Sequence, residues 1–160
     1  MTAQTSMVVT DSYNEEKNQT TLTLLPYGNI VIPDKWAKVS YNNVSKQHFF
    51  KNSDSITIAV TKNPKKNYPF FKKKQTDKNF VTEFVNWDAE YWQKQGFEIK
   101  RISDNSNDGF LIWQVLDAKK ISTIFLFGSK NDLAYNFAVV SKGWSNEKAQ
   151  EFLINLFRTN

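Results

Sequence analysis

The sequence predicts an α+β domain in which an antiparallel β-sheet is flanked by helices. Three observations predict it. From Asp77 to Phe157 an amphipathic helix is followed by four strand-like runs and a second amphipathic helix. The links between those runs are short and polar, whereas a parallel crossover needs a dozen or more residues, so the neighbours are antiparallel. Phe110–Leu116 and Ile124–Phe127 are apolar on both faces, the pattern of central strands covered from both sides.

The 160 residues suit one domain, and 15% aromatic content with 13 Phe and 5 Trp supplies a core that disordered chains lack. Residues 1–19 are polar and rich in Thr, Asn, Gln and Glu, so they read as a mobile leader before a single domain over residues 20–160. Met7–Thr10 offers an edge strand within that leader as the alternative. The leader lacks the apolar stretch of a signal peptide. A cytoplasmic location is therefore expected, with a periplasmic or exported one if a signal was removed. No apolar run approaches the ~18 residues that span a bilayer.

Thr20–Leu25 alternates Thr and Leu and predicts a strand. Tyr27 and Gly28 break it, and Asn29–Ile32 adds a short β-branched run that Pro33 and Asp34 turn off before Trp36. Lys46–Lys51 and Ser55–Lys62 flank Asn52, Ser53 and Asp54 and predict a hairpin. In its second strand Ile56, Ile58 and Val60 share a face, so one buried face is expected. Thr76 or Asp77 caps the helix that carries Phe80, Phe84, Trp87 and Tyr91 as its apolar stripe, widened by Val81, Val85 and Trp92. Gly96 suits the position after the helix, where positive φ is common. The four strands are expected at Phe97–Ile102, Phe110–Asp117, Ile121–Gly128 and Leu133–Ser141. Ser145 caps the last helix, whose stripe is Ala149, Phe152, Leu153, Leu156 and Phe157.

Leu24 to Trp36 ends in Ile32-Pro33-Asp34-Lys35-Trp36, an apolar strand followed by Pro, an acid and Trp. A hairpin, a long helix ending at Gly96 and Phe97, a meander and a final helix follow. This order resembles a superfamily that groups the extrinsic oxygen-evolving protein of photosystem II, a Ran-binding nuclear import factor and bacterial DcrB-like proteins. Some bacterial members are chaperones for secreted effectors. Over residues 20–158 the resemblance implies an α/β/α sandwich, and it transfers no functional residue to this chain.

The absence of Cys excludes disulfides, thiolate metal sites and Cys nucleophiles. His48 is the single histidine and precedes Phe49 and Phe50 in a strand pattern without a triad or metal motif. Glu83, Asp88 and Glu90 share a helix with Trp87, Tyr91 and Trp92, which suits either a glycosidase cleft or the polar side of an amphipathic helix. Asp104, Asn105, Asn107 and Asp108 suit either a Ca²⁺ loop or a turn ending in Gly109, and the EF-hand spacing is missing. No catalytic residue, metal ligand or cofactor is assigned.

Net charge is +5, and Lys62–Lys78 is its densest part. Lys65, Lys66, Lys72, Lys73 and Lys74 alternate there with Tyr68, Phe70 and Phe71, and these eight are the candidate binding residues. The competing reading is a solvated connection whose aromatics tuck onto the core. With only two Arg in the chain, the bidentate fork that reads phosphate or guanine is scarce. The expected function is a non-catalytic accessory domain, adaptor or chaperone-like, that binds a protein or peptide in an aromatic groove between sheet and helix. The alternative is an anion-surface binder acting through Lys62–Lys78 on an acidic partner, nucleic acid or anionic lipid.

Overall fold

The computed structural model describes residues 7–119, 122–140 and 142–160. Strands β1 (Val8–Asn14), β2 (Gln19–Leu25) and β3 (Asn29–Pro33) form a small antiparallel sheet in the order β1-β2-β3. A seven-stranded sheet contains β4 (Ala37–Tyr41), β5 (His48–Lys51), β6 (Thr57–Pro64), β7 (Glu98–Asn105), β8 (Phe110–Leu116), β9 (Ser122–Lys130) and β10 (Leu133–Val139). Its order is β4-β5-β6-β10-β9-β8-β7, and its neighbours pair antiparallel. Helix α1 (Asp77–Lys94) lies on one face of this sheet, and α2 (Asn146–Thr159) packs on the other together with β2 and β3. The α+β sandwich expected from the residue patterns is the fold observed.

Strand alternation divides the core in two. Ile112, Leu126, Tyr135, Phe137, Ile58 and Val60 point towards α2 and the small sheet. Their neighbours Leu111, Trp113, Phe125, Phe127, Ala134, Ala138 and Ala59 point towards α1. A period of two sends successive side chains to opposite faces, so each central strand feeds both layers. The expectation of one buried face for β6 is thereby corrected. β6 lies between β5 and β10, and Thr57 is its one position that is not buried.

The helix ends follow their local chemistry. The Thr76 hydroxyl accepts the Asn79 amide at 3.2 Å, and the Ser145 hydroxyl accepts the Lys148 amide at 3.2 Å. Each satisfies a donor that the first turn leaves open. Gly96 follows α1 at φ +84, and the Phe97 amide turns back to the Trp92 carbonyl at 3.1 Å. Trp36 explains the turn that begins at Pro33. Its indole N–H donates to the Pro33 carbonyl at 2.7 Å, its amide donates to the Thr20 hydroxyl at 2.9 Å, and its rings meet Trp144 and Phe152. That residue joins the small sheet, the β3–β4 link and α2.

Several boundaries differ from the sequence reading. Within the expected leader, Val8–Asn14 pairs with β2 as an edge strand, the alternative that Met7–Thr10 offered, and residues 1–6 lie outside the described residues. Its signal is weak because only Val9 and Tyr13 of its seven residues are partly buried, with Met7 just before it. β4 had no strand signal, since four of its five residues are exposed. Expected strand ends at Ile121 and Ser141 also lie outside the described residues. Both edge strands, β4 and β7, carry a register irregularity, between Lys38 and Ser40 and between Arg101 and Ser103. Such bulges twist an edge away from pairing with another chain. Among the described residues no helix is long and apolar enough to cross a membrane.

Gly128 in β9 supports the ring of Phe157 from α2. A Cβ at Gly128 would stand 2.3 Å from that ring. Gly128→Ala is expected to cost about 1–3 kcal/mol of unfolding free energy, the usual range for overpacking. A urea titration of the variant against the native protein checks this, and an unchanged midpoint would contradict the tight α2–β9 approach.

Candidate functional site

The lysine segment divides into a structural half and an exposed half. Lys62 lies on β6 and is buried; its ammonium donates to the Asn29 carbonyl at 2.6 Å and sits over the Tyr135 ring. Burial, and then the charge of Lys130, hold its pKa below the ordinary lysine value. Lys65 is buried too, paired with Asp77 and placed over the Phe80 ring. Asp77 also accepts the Ser129 hydroxyl at 2.6 Å. Burial alone would raise the Asp77 carboxyl, but the Lys65 ammonium and the Ser129 hydroxyl outweigh it and hold the group below its usual value. These contacts bind the start of α1 to β9. Lys62 and Lys65 therefore stabilise the fold and present no free charge to a partner.

Tyr68 and Phe70 also turn inward. Tyr68 lies 4.6 Å from Phe84 and 5.9 Å from Phe80, and Phe70 lies 5.1 Å from Phe80 and 5.6 Å from Trp87. Burial pushes the Tyr68 phenol up to about 12. Phe71 stays exposed, as do Lys66, Lys72, Lys73 and Lys74. The last three, with Gln75, Asn79, Thr82 and Glu83, line an open depression of about 460 Å³. Its loop is held by the Gln75 side chain, which accepts the Lys72 amide at 3.1 Å. Of the eight candidate residues, five are exposed, three of them around one depression, and Lys65, Tyr68 and Phe70 turn inward.

The sequence reading missed the aromatic part of this surface. Trp87 and Tyr91 were placed in the core stripe of α1, yet they are 45% and 57% exposed. The residues that meet the sheet are Phe80, Val81, Phe84, Val85 and Ala89. Phe84 stacks on Phe127 at 4.0 Å and sets the rotation of the helix. Ala89, small enough for close approach, is the sequence signal that would have marked the inner face. Trp87 is instead braced from one side by Tyr68 and Phe70. The expected groove between sheet and helix is not open, because α1 sits directly on the strands. A space of about 20 Å³ lined by Val85, Leu111 and Trp113 is found there, room for about one water.

Glu83, Asp88 and Glu90 of α1 have separate tasks. Glu90 pairs with Lys94 at 2.6 Å in solvent, Glu83 lines the lysine depression, and Asp88 accepts the Trp92 indole N–H at 3.2 Å. Burial pushes the Asp88 carboxyl up to about 6. His48 is buried, its ring lies 4.7 Å from Tyr41, and among the described residues neither ring nitrogen has a hydrogen-bond partner. Asp104 accepts the Ser106 amide at 3.0 Å in the turn that ends at Gly109. Among the described residues no group of three or more His, Asp or Glu is placed to hold a metal ion.

No protein-family model matches the chain, and no curated protein matches it. Among solved structures, the solution structure of cyanobacterial PsbP (CyanoP) from Synechocystis sp. PCC 6803 is similar, with 12% identity and a TM-score of 0.43. The match covers 99% of this chain and 92% of that one.

Asp88 gives a pH test of the α1 surface. Its folded pKa lies above the unfolded value, so the stability it contributes is present below the unfolded pKa of 3.8 and is lost as pH rises towards about 6. Asp88→Asn keeps an acceptor for Trp92 and removes the buried charge. The variant is expected to be more stable than the native protein at about pH 8, by about 1–3 kcal/mol, and equal to it below about pH 4. Urea unfolding at the two pH values checks this, and a variant less stable at the higher pH would contradict it.

Proposed function

We propose that this chain is a non-catalytic accessory domain that binds a protein or peptide segment on the outer face of α1. The observation that carries the reading is the exposure of Trp87 and Tyr91, one turn apart on that face. Trp87 is held by Tyr68 and Phe70, so little rotamer freedom is lost when a partner covers it. Aromatic side chains of this kind supply most of the free energy at protein interfaces. Lys72, Lys73 and Lys74 lie at the N-terminal side of the same helix, around the depression shared with Asn79 and Thr82. The favoured partner places an apolar residue against Trp87 and Tyr91 and carboxylates towards the lysines.

A second reading rests on the lysine-lined depression alone. Three ammonium groups around one open hollow attract an anionic surface, whether nucleic acid, anionic lipid or an acidic protein. Binding of that kind falls steeply with salt.

Affinity capture from the native lysate at low and moderate salt separates the two readings. Trp87→Ala with Tyr91→Ala is expected to weaken capture of a stoichiometric protein by about 30-fold or more, since each anchor contributes about 1–2 kcal/mol or more. Stability is expected to fall by about 1–2 kcal/mol, because Trp87 packs on Tyr68 and Phe70, and far-UV circular dichroism checks that the variant is folded. Lys72→Gln, Lys73→Gln and Lys74→Gln together should weaken capture less and flatten its salt dependence. Capture that survives the aromatic pair and vanishes with the lysine triple would overturn the first reading in favour of the second.

A further inference from the structure

We propose that the β4–β5 hairpin, Ala37–Lys51, is an acid-released edge of the large sheet, opened when the buried His48 imidazole takes up a proton. His48 begins β5, opposite Tyr41 of β4 on one side and Val60 of β6 on the other. The residue is 2% exposed, and both ring nitrogens are buried without a hydrogen-bond partner among the described residues. A neutral imidazole offers one donor and one acceptor; the protonated ring offers two donors and a full charge. Burying that charge without an acceptor is far more costly than burying the neutral ring.

The surroundings do not supply compensation. Lys38 of β4 opposes protonation, Asp11 of β1 favours it, and the Tyr41 ring covers the imidazole at 4.7 Å. Burial is the largest effect, and the net result lowers the group from 6.5 to about 4. The Ser45 hydroxyl, in the β4–β5 connection, is also buried without a partner. The strand that pairs beside His48 lies at the edge of the sheet. β4 is an edge strand of five residues with an irregular register, and its Val39 and Tyr41 face solvent. The connection is closed locally by Asn42, whose side chain accepts the Val44 amide at 2.8 Å and whose amide donates to the Gln47 carbonyl at 2.9 Å. Trp36 anchors the chain just before β4, so the hairpin has a fixed hinge. Opening it brings His48 to water, uncovers the buried Phe50 side chain and breaks the Gln47–Asn136 hydrogen bond, while β8 and β9 stay covered by α1 and α2.

The closed hairpin binds the proton less tightly than the open one, so closure is complete above about pH 6.5 and weakens as pH falls. Between 6.5 and about 4 opening grows by about tenfold per pH unit, to a limit of about 300-fold.

Amide hydrogen exchange on the intact chain, corrected for intrinsic rates, tests the proposal at about pH 6.5 and about pH 4.5. Protection of residues 37–51 is expected to fall by about 40-fold, with protection of β8 and β9 nearly unchanged. His48→Phe keeps the ring against Tyr41 and cannot titrate, and it should abolish the loss. An equal loss across the whole sheet, no loss in the native chain, or an undiminished loss in His48→Phe would overturn the proposal. The chain has 1 His, so its imidazole signal in an NMR titration is unambiguous even if the variant fails to fold. A midpoint below about 5 is expected there; a midpoint at or above about 6 would overturn the proposal.

Discussion

Strands β6, β10, β9 and β8 bury side chains on both faces, so neither face can be left to water. Each exposed face would cost about 25 cal/mol per Å² of apolar surface. One face is covered by α1, and the other by α2 with the small sheet. The remaining features serve that arrangement. Trp36 ties the small sheet to α2, and the Asn160 side chain accepts the Val31 amide at 2.7 Å and donates to its carbonyl at 3.0 Å. Asp77, Lys65 and Ser129 fix the start of α1 on β9.

Because α1 is held by its inner face, its outer face is free for function. Phe84 is shared between the sheet, through Phe127, and the loop, through Tyr68 and Phe70. The same loop that seals the core braces Trp87 and carries Lys72–Lys74 at its far end. A partner on this surface would meet a rigid aromatic pair beside a cluster of cations. The edges of the sheet serve a different purpose: irregular registers discourage strand addition, and β4 covers an imidazole with no partner for a proton.

Much of this fold was legible because local chemistry and global packing agreed. Thr76 and Ser145 read as caps, Gly96 read as a left-handed stop, and the central runs read as two-faced. The antiparallel sheet between helices followed from those signals. What was illegible depended on contacts between distant residues. The stripe Phe80, Phe84, Trp87 and Tyr91 has perfect helical spacing, yet the sheet accepted Val81, Val85 and Ala89 beside the two Phe and left Trp87 and Tyr91 outside. β4 has too little burial to pattern its residues. The lysine run looked uniform, and nothing local announced that Lys62 reaches the Asn29 carbonyl, 33 positions away, or that Lys65 meets Asp77. The candidate site was half legible for that reason: the exposed lysines were named, and the exposed aromatics Trp87 and Tyr91 were assigned to the core.

The central claim is that two covers, one on each face, make a single cooperative unit with the sheet. Urea unfolding of Phe84→Ala and Leu153→Ala, followed by Trp fluorescence and far-UV circular dichroism, tests it most directly. Both side chains are essentially fully buried, one in each half of the core. Each variant is predicted to lose about 2–5 kcal/mol and to unfold in one transition that the two probes report identically. Separate transitions, with α2 leaving a sheet and α1 that remain folded, would contradict it.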